Sequence, residues 1–155
     1  LSIKLTQNPM KRFVPIIIIS LFYMSQPIQA QVKITHIAVY VSDLKQSADF
    51  YRNVLEFKEI DEPFKDGLHA WFDIGNNVQL HIIEAEWQPI TINKINHLCF
   101  SIPVMEDFIA NLETHKVAFE DWPGEQGKIN IRPDGIQQIY LRDPDGYWIE
   151  INDEY

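Results

Sequence analysis

From Lys33 to Val41 the chain alternates, with His36, Ala38 and Tyr40 on one side and Ile37, Val39 and Val41 on the other. That is the period of a half-buried strand. Ser42-Asp43 then offers a helix N-cap. Leu44, Ala48, Tyr51 and Leu55 recur at helical spacing, and Phe50 and Val54 widen the apolar stripe. Strands are predicted at about 56–61, 68–74 and 78–84, the last two joined by the hairpin signal Gly75-Asn76-Asn77.

The same order then starts again. Ile95 to Ile102 reads as a strand with His97 near its start. Pro103 suits the first turn of a helix, along which Val104, Phe108 and Leu112 form the stripe. Strands are predicted at about 117–121, 136–142 and 147–152, the last two joined by the turn Asp143-Pro144-Asp145-Gly146. Residues 122–135, rich in Gly and Pro and without clear period, read as a mobile loop that could cover a site. One module is thus written twice, at about 33–84 and 95–153, each βαβββ. The fold class is α+β: two paired modules forming a curved mixed sheet with helices on one face and a cleft on the other.

The alternation also says which side chains point away from the helices. In the last strand Ile149 and Ile151 take the core, which leaves Glu150 on the open face. In the 78–84 strand Leu80 and Ile82 take the core, so Gln79 and His81 face the cleft with His36 and His97. Two or three imidazoles and one carboxylate suit a borderline divalent cation such as Zn, Ni, Co, Mn or Fe. A lone inward histidine is usually structural, and the convergence of several is what points to a metal. Cys99, two residues after His97, shares that face and reads as a small apolar filler. His69, near a strand start, reads as solvent-exposed, with a place in the pocket lining as the alternative, and His115 as a helix C-terminal cation.

Charge narrows the partners. The chain has 13 Lys and Arg against 22 Asp and Glu, a net charge of −9. No acidic residue lies in residues 1–30, which hold Lys4, Lys11 and Arg12, so the remainder is more acidic still. Such a surface repels nucleic acid and anionic membranes. Cys99 is the sole cysteine, which excludes an intramolecular disulfide. Residues 10–30 read as a signal peptide: Met10, the basic pair Lys11-Arg12, an apolar run to Met24, and the small residue Ala30. The expectation is an exported, periplasmic or secreted, protein whose mature chain starts near Gln31.

His36 with Val41-Ser42-Asp43, then Phe50-Tyr51-Arg52-Asn53-Val54-Leu55, then Asn96-His97, and finally Asp143-Pro144-Asp145-Gly146-Tyr147-Trp148-Ile149-Glu150 resembles the vicinal oxygen chelate superfamily. Its members include glyoxalase I, extradiol dioxygenases and bleomycin-binding proteins. The likeness spans about residues 33–153. It implies one divalent metal ion held by His36, His97 and Glu150, with the fourth ligand at His81 or, alternatively, Gln79. It also implies Glu150, or a displaced fourth ligand, as the proton-moving group, a small-molecule substrate and a homodimer.

Two departures from the pattern stand where a glycine normally closes each helix, at Glu56 and Lys116. Each is expected to force a left-handed cap on a non-glycine residue. A third, Tyr40 in place of an Arg, argues against a glutathione substrate. The reading favoured is a metal-dependent lyase or isomerase of the glyoxalase I type. The alternatives are a non-haem Fe(II) dioxygenase and a drug- or metabolite-binding protein without turnover.

Overall fold

The computed structural model describes residues 31–155 except Trp87, Pro89 and Ile90. The signal-peptide expectation falls on residues outside the described ones. Among the described residues, no helix is long and apolar enough to cross a membrane.

The first module runs β1 (His36–Val41), α1 (Leu44–Asn53), β2 (Lys58–Ile60), β3 (His69–Asp73) and β4 (Gln79–Glu84). The second runs β5 (His97–Ser101), α2 (Met105–His115), β6 (Phe119–Glu120), β7 (Asn130–Ile131), β8 (Gln137–Arg142) and β9 (Trp148–Asn152). Two sheets result, with orders β1-β4-β3-β2 and β5-β9-β8-β6, and β7 added on β8. Each is mixed, because β1 pairs parallel with β4 and β5 parallel with β9, while the remaining pairs are antiparallel. The repeat predicted from the alternation is therefore present, as two hydrogen-bonded sheets rather than one continuous one.

Local chemistry accounts for the element ends. Asp43 caps α1 as expected, its Oδ1 accepting from the Gln46 N–H at 2.8 Å. Glu56 has φ 56°, and Lys116 closes α2 with φ 56° and ψ 37°. Lys116 is thus the left-handed cap expected for α2, whereas the cap of α1 is the right-handed Val54 and the positive φ falls two residues later, at Glu56. The Val117 N–H reaches back to the Leu112 carbonyl at 2.9 Å, which closes the last turn of α2. Gly75, Asn76 and Asn77 all have positive φ in the β3–β4 hairpin.

Two expectations about the second module change. The helix begins at Met105, so Pro103 precedes it and Val104 is its N-cap, 44% exposed rather than part of the stripe. Met105 takes the buried position instead, at 1% exposure. The 122–135 segment is more ordered than its composition suggests. It carries β7, a bridge between Glu120 and Gln126, and an Asp121 carboxylate that accepts from the Gly124 and Glu125 N–H groups at 2.8 and 2.7 Å. A short polar side chain next to glycine builds such a turn without any hydrophobic period.

One core serves both modules. Val39, Val41, Phe72, Leu80 and Ile82 from the first sheet join Ile139, Leu141, Ile149 and Ile151 from the second, with Tyr51, Met105 and Leu112 from the helices. Because side chains alternate across a strand, burying this set turns His36, His81, His97 and Glu150 to the opposite faces.

Candidate metal and catalytic site

In the first sheet β1 lies beside β4 with His36 opposite Gln79 and Ala38 opposite His81. The rings of His36 and His81 are 6.2 Å apart between centres, with Trp71 of β3 against both, 5.4 Å from His36 and 4.1 Å from His81. His81 is 5% exposed, and burial lowers its pKa, helped by the neighbouring His69 and His36.

His69 departs from the expectation of solvent exposure. Its Nδ1 lies 2.6 Å from His81 Nε2, its Nε2 lies 3.3 Å from Asp66 Oδ2, and its ring stacks on Phe64 at 4.5 Å. The sign was legible in β3, where Ala70 and Phe72 are the core residues, which leaves His69 and Trp71 on the His81 side. The pairing of Trp71 with His81 across β3 and β4 brings the two imidazoles together.

In the second sheet His97, Trp148 and Arg142 form one row across β5, β9 and β8, and Cys99, Glu150 and Tyr140 form the next. His97 Nε2 lies 3.2 Å from Glu150 Oε2. Tyr140 donates its hydroxyl to the same carboxylate oxygen at 2.6 Å, and Asn152 Nδ2 donates to Oε1 at 3.2 Å. Burial pushes the Glu150 carboxyl up, but hydrogen bonds from Tyr140, Asn152 and Cys99, with His97 nearby, outweigh it and leave the pKa lowered. Glu150 is therefore an ionised carboxylate at neutral pH.

The structure thus brings the predicted ligands together as two pairs, His36 with His81 (Gln79 beside them) and His97 with Glu150. Among the described residues, no group of three or more His, Cys, Asp or Glu side chains is placed to hold one metal ion. The donors suit a divalent ion in kind. A cavity of about 360 Å³ is lined by Ile37, Ala38 and Val39 of β1, by His97 and Leu98 of β5, and by Thr91, Ile92 and Asn93 of the connection between the modules. A second cavity, about 480 Å³, opens beside Glu120, Tyr140, Arg142 and Trp148.

Comparison with known proteins agrees with this architecture. A virulence protein of Salmonella typhimurium is 30% identical over 125 residues, covering 77% of this chain and 83% of that protein. Glyoxylase I 4 of Arabidopsis thaliana is 28% identical over 124 residues, covering 76% of this chain and 68% of that protein. Among solved structures, a glyoxalase/dioxygenase from Nostoc punctiforme superposes with a TM-score of 0.65 at 26% identity, covering 79% of this chain and 91% of that one. The model of the glyoxalase/bleomycin resistance protein/dioxygenase superfamily matches residues 33–151, and the chain belongs to that superfamily.

Proposed function

We propose that the protein is a metal-dependent lyase or isomerase of the glyoxalase type, acting on a small substrate with two adjacent oxygens. The observation that carries this reading is the His97–Glu150 pair at 3.2 Å, with Glu150 ionised and oriented by Tyr140. His36, His81, His97 and Glu150 would hold one divalent ion, which supplies Lewis-acid polarisation of the substrate oxygens when bound. Glu150 takes the proton from the hydroxyl-bearing carbon and returns it to the adjacent carbonyl carbon, while the hydroxyl proton passes to the former carbonyl oxygen. Tyr140 holds the carboxylate in register, and the aromatic walls of Trp71 and Trp148 exclude water.

The protein acts as a homodimer in which the His36–His81 pair of one copy faces the His97–Glu150 pair of the other. The support is topological. β1 and β5, which carry the two histidines, are the terminal strands of their sheets, and each pair forms inside a single module. Export, suggested by residues 10–30, would place the activity outside the glutathione-rich cytosol and favours a substrate other than a glutathione adduct.

Elemental analysis of the purified protein beside His36→Ala and Glu150→Ala variants tests the reading. About one metal ion per chain, lost in both variants, supports it. Protein that stays metal-free after incubation with Zn, Ni, Co, Mn or Fe ions would sink it. One observation favours a second reading. The His69 bond to His81 takes that imidazole out of the set and leaves His36, His97 and Glu150, the facial triad of an Fe(II) dioxygenase. Oxygen uptake by the Fe(II)-loaded protein with a catechol distinguishes it from the lyase.

A further inference from the structure

Lys94 lies in the connection between the modules, three residues before His97, and its ammonium is enclosed. Nζ donates to Glu120 Oε1 at 2.7 Å, to the Asp121 carbonyl at 2.6 Å and to the Trp122 carbonyl at 3.2 Å. It also stands 4.7, 4.9 and 5.8 Å from the ring centres of Tyr140, Trp148 and Trp122. The side chains of Lys94 and Glu120 are 15% and 19% exposed. In every other Lys or Arg ion pair among the described residues, both partners are at least 31% exposed. An ammonium is strongly hydrated, so withdrawing one from water needs this complete a seat.

The backbone of the same residue touches the candidate site. The Lys94 carbonyl lies 2.8 Å from His97 Nδ1 and accepts its proton. In a neutral imidazole that bond leaves the Nε2 lone pair turned to Glu150 Oε2 at 3.2 Å. Left to itself, the pair would prefer the other tautomer, in which an Nε2–H donates to the carboxylate. The side chain reaches the opposite wall as well, because Tyr140, which lies under the ammonium, holds Glu150 through its hydroxyl.

We propose that Lys94 is a positioning residue for the His97–Glu150 pair: its caged ammonium anchors the connection between the modules so that its carbonyl fixes His97 with Nε2 as the free donor. Fixing the far ring nitrogen of an imidazole ligand in this way sets both its tautomer and its direction. The use of His97 as a metal ligand rests on the function proposed above, whereas the orientation of its ring does not.

The test is the double variant Lys94→Met/Glu120→Gln, which removes the cation and the anion together and strands neither charge. Long-range proton–nitrogen NMR of the imidazole rings, with His97 assigned by His97→Gln, reports the tautomer in the metal-free protein. At a pH high enough to keep the imidazole neutral, the wild type is expected to show His97 protonated at Nδ1 only, and the double variant to move to the Nε2–H form or to an average of the two. Zn²⁺ affinity should fall roughly 10-fold or more, as for loss of other groups that orient a ligand. Lys94→Arg, which returns a cation to the rings, should recover the wild-type tautomer in part.

Leu112→Ala, in the core of α2 at 0% exposure, is the control. It should lower Tm while leaving the His97 spectrum unchanged. A folded double variant with the wild-type His97 pattern overturns the proposal. If the double variant does not fold, Trp122→Ala, which opens one wall of the cage, decides in its place by the same spectrum. A wild type that binds no Zn²⁺ would count against the proposed function, and the tautomer readout would still decide the role of Lys94.

Discussion

The Tyr51 hydroxyl donates to Asp143 Oδ2 at 2.7 Å, which joins α1 of the first module to the β8–β9 turn of the second. Asp143 Oδ1 meanwhile accepts the Asp145 and Tyr147 N–H groups at 3.0 and 2.8 Å, so one carboxylate both shapes the turn and docks it. Asp145 adds bonds from Ser47 Oγ and the Ser42 N–H at 3.1 and 3.0 Å. The strand that follows carries Glu150, so the docked turn sets where that strand begins. Tyr51→Phe should therefore cost about 2 kcal/mol, the range for a buried hydrogen bond to a charged group. Urea unfolding that gives a midpoint and slope equal to wild type would contradict this.

Asp143 also makes stability depend on pH. Burial pushes its carboxyl up to about 6, against the opposing pull of the Tyr51 and Tyr147 hydrogen bonds. A folded pKa above the ordinary aspartate value of 3.8 means that the folded state holds the proton more tightly. The stability from this group is full below that lower value and is lost as pH rises through about 6. Asp143→Asn keeps an acceptor for the turn and carries no charge. Its Tm relative to wild type should improve steadily as pH rises across that window. A difference that is flat with pH would show that Asp143 does not titrate there.

How much of this was legible in the chain differs by element. The strands bearing His36, His97 and Glu150 were readable because alternation is a local property that needs no partner. The α1 cap at Asp43 and the hairpin at Gly75 were readable for the same reason. The His69–His81 bond was half readable, since β3 alternation shows the face but the register with β4 decides the meeting. The cage around Lys94 was not readable at all. It gathers one residue from the connection between the modules, rings from β8 and β9 and carbonyls after β6, none of them close in sequence. Nor did alternation say that the four predicted ligands come as two pairs, because that depends on how one sheet faces the other.

The two positive-φ residues that follow the helices give a stability prediction that leaves the site alone. Glu56 and Lys116, both at φ 56°, hold a conformation that costs a non-glycine residue roughly 1 kcal/mol. Glu56→Gly and Lys116→Gly should each raise stability by somewhat less than that, since glycine also adds entropy to the unfolded chain. Their effects should add, because the two sites follow different helices. Thermal unfolding of the two single variants and the double variant checks this. A fall in Tm for either variant would mean that its side chain contributes more than its backbone costs.

Cys99 is exposed as a residue, yet its sulfur lies against the site. Sγ donates to Glu150 Oε1 at 3.5 Å and takes a hydrogen bond from Asn152 Nδ2 at 3.2 Å. Burial of the sulfur, with the Glu150 charge beside it, pushes the thiol up to about 12. At pH 8 it should react with iodoacetamide roughly 30-fold more slowly than an ordinary thiol, its scarcity of thiolate being partly offset by higher intrinsic nucleophilicity. Glu150→Gln removes the charge and should speed the reaction. Equal rates in the two proteins would mean that the carboxylate does not control the thiol.

The two-pair arrangement makes a prediction that separates a site inside one chain from a site between copies. His36→Ala damages the first pair and Glu150→Ala the second, so each variant alone should fail to hold metal. Consider a mixed dimer of the two. If each site joins the first pair of one copy to the second pair of the other, one site collects both lesions and the other is intact. If each site lies within a chain, both sites in the mixture stay broken. Co-refolding the variants in equal amounts should therefore restore about one intact site in every mixed dimer, and with it about a quarter of the wild-type metal content, given random pairing. Metal content that stays at the level of the single variants, with mixed dimers present by native mass spectrometry, would place each site within one chain. A monomeric wild type in light scattering would remove the dimer reading altogether.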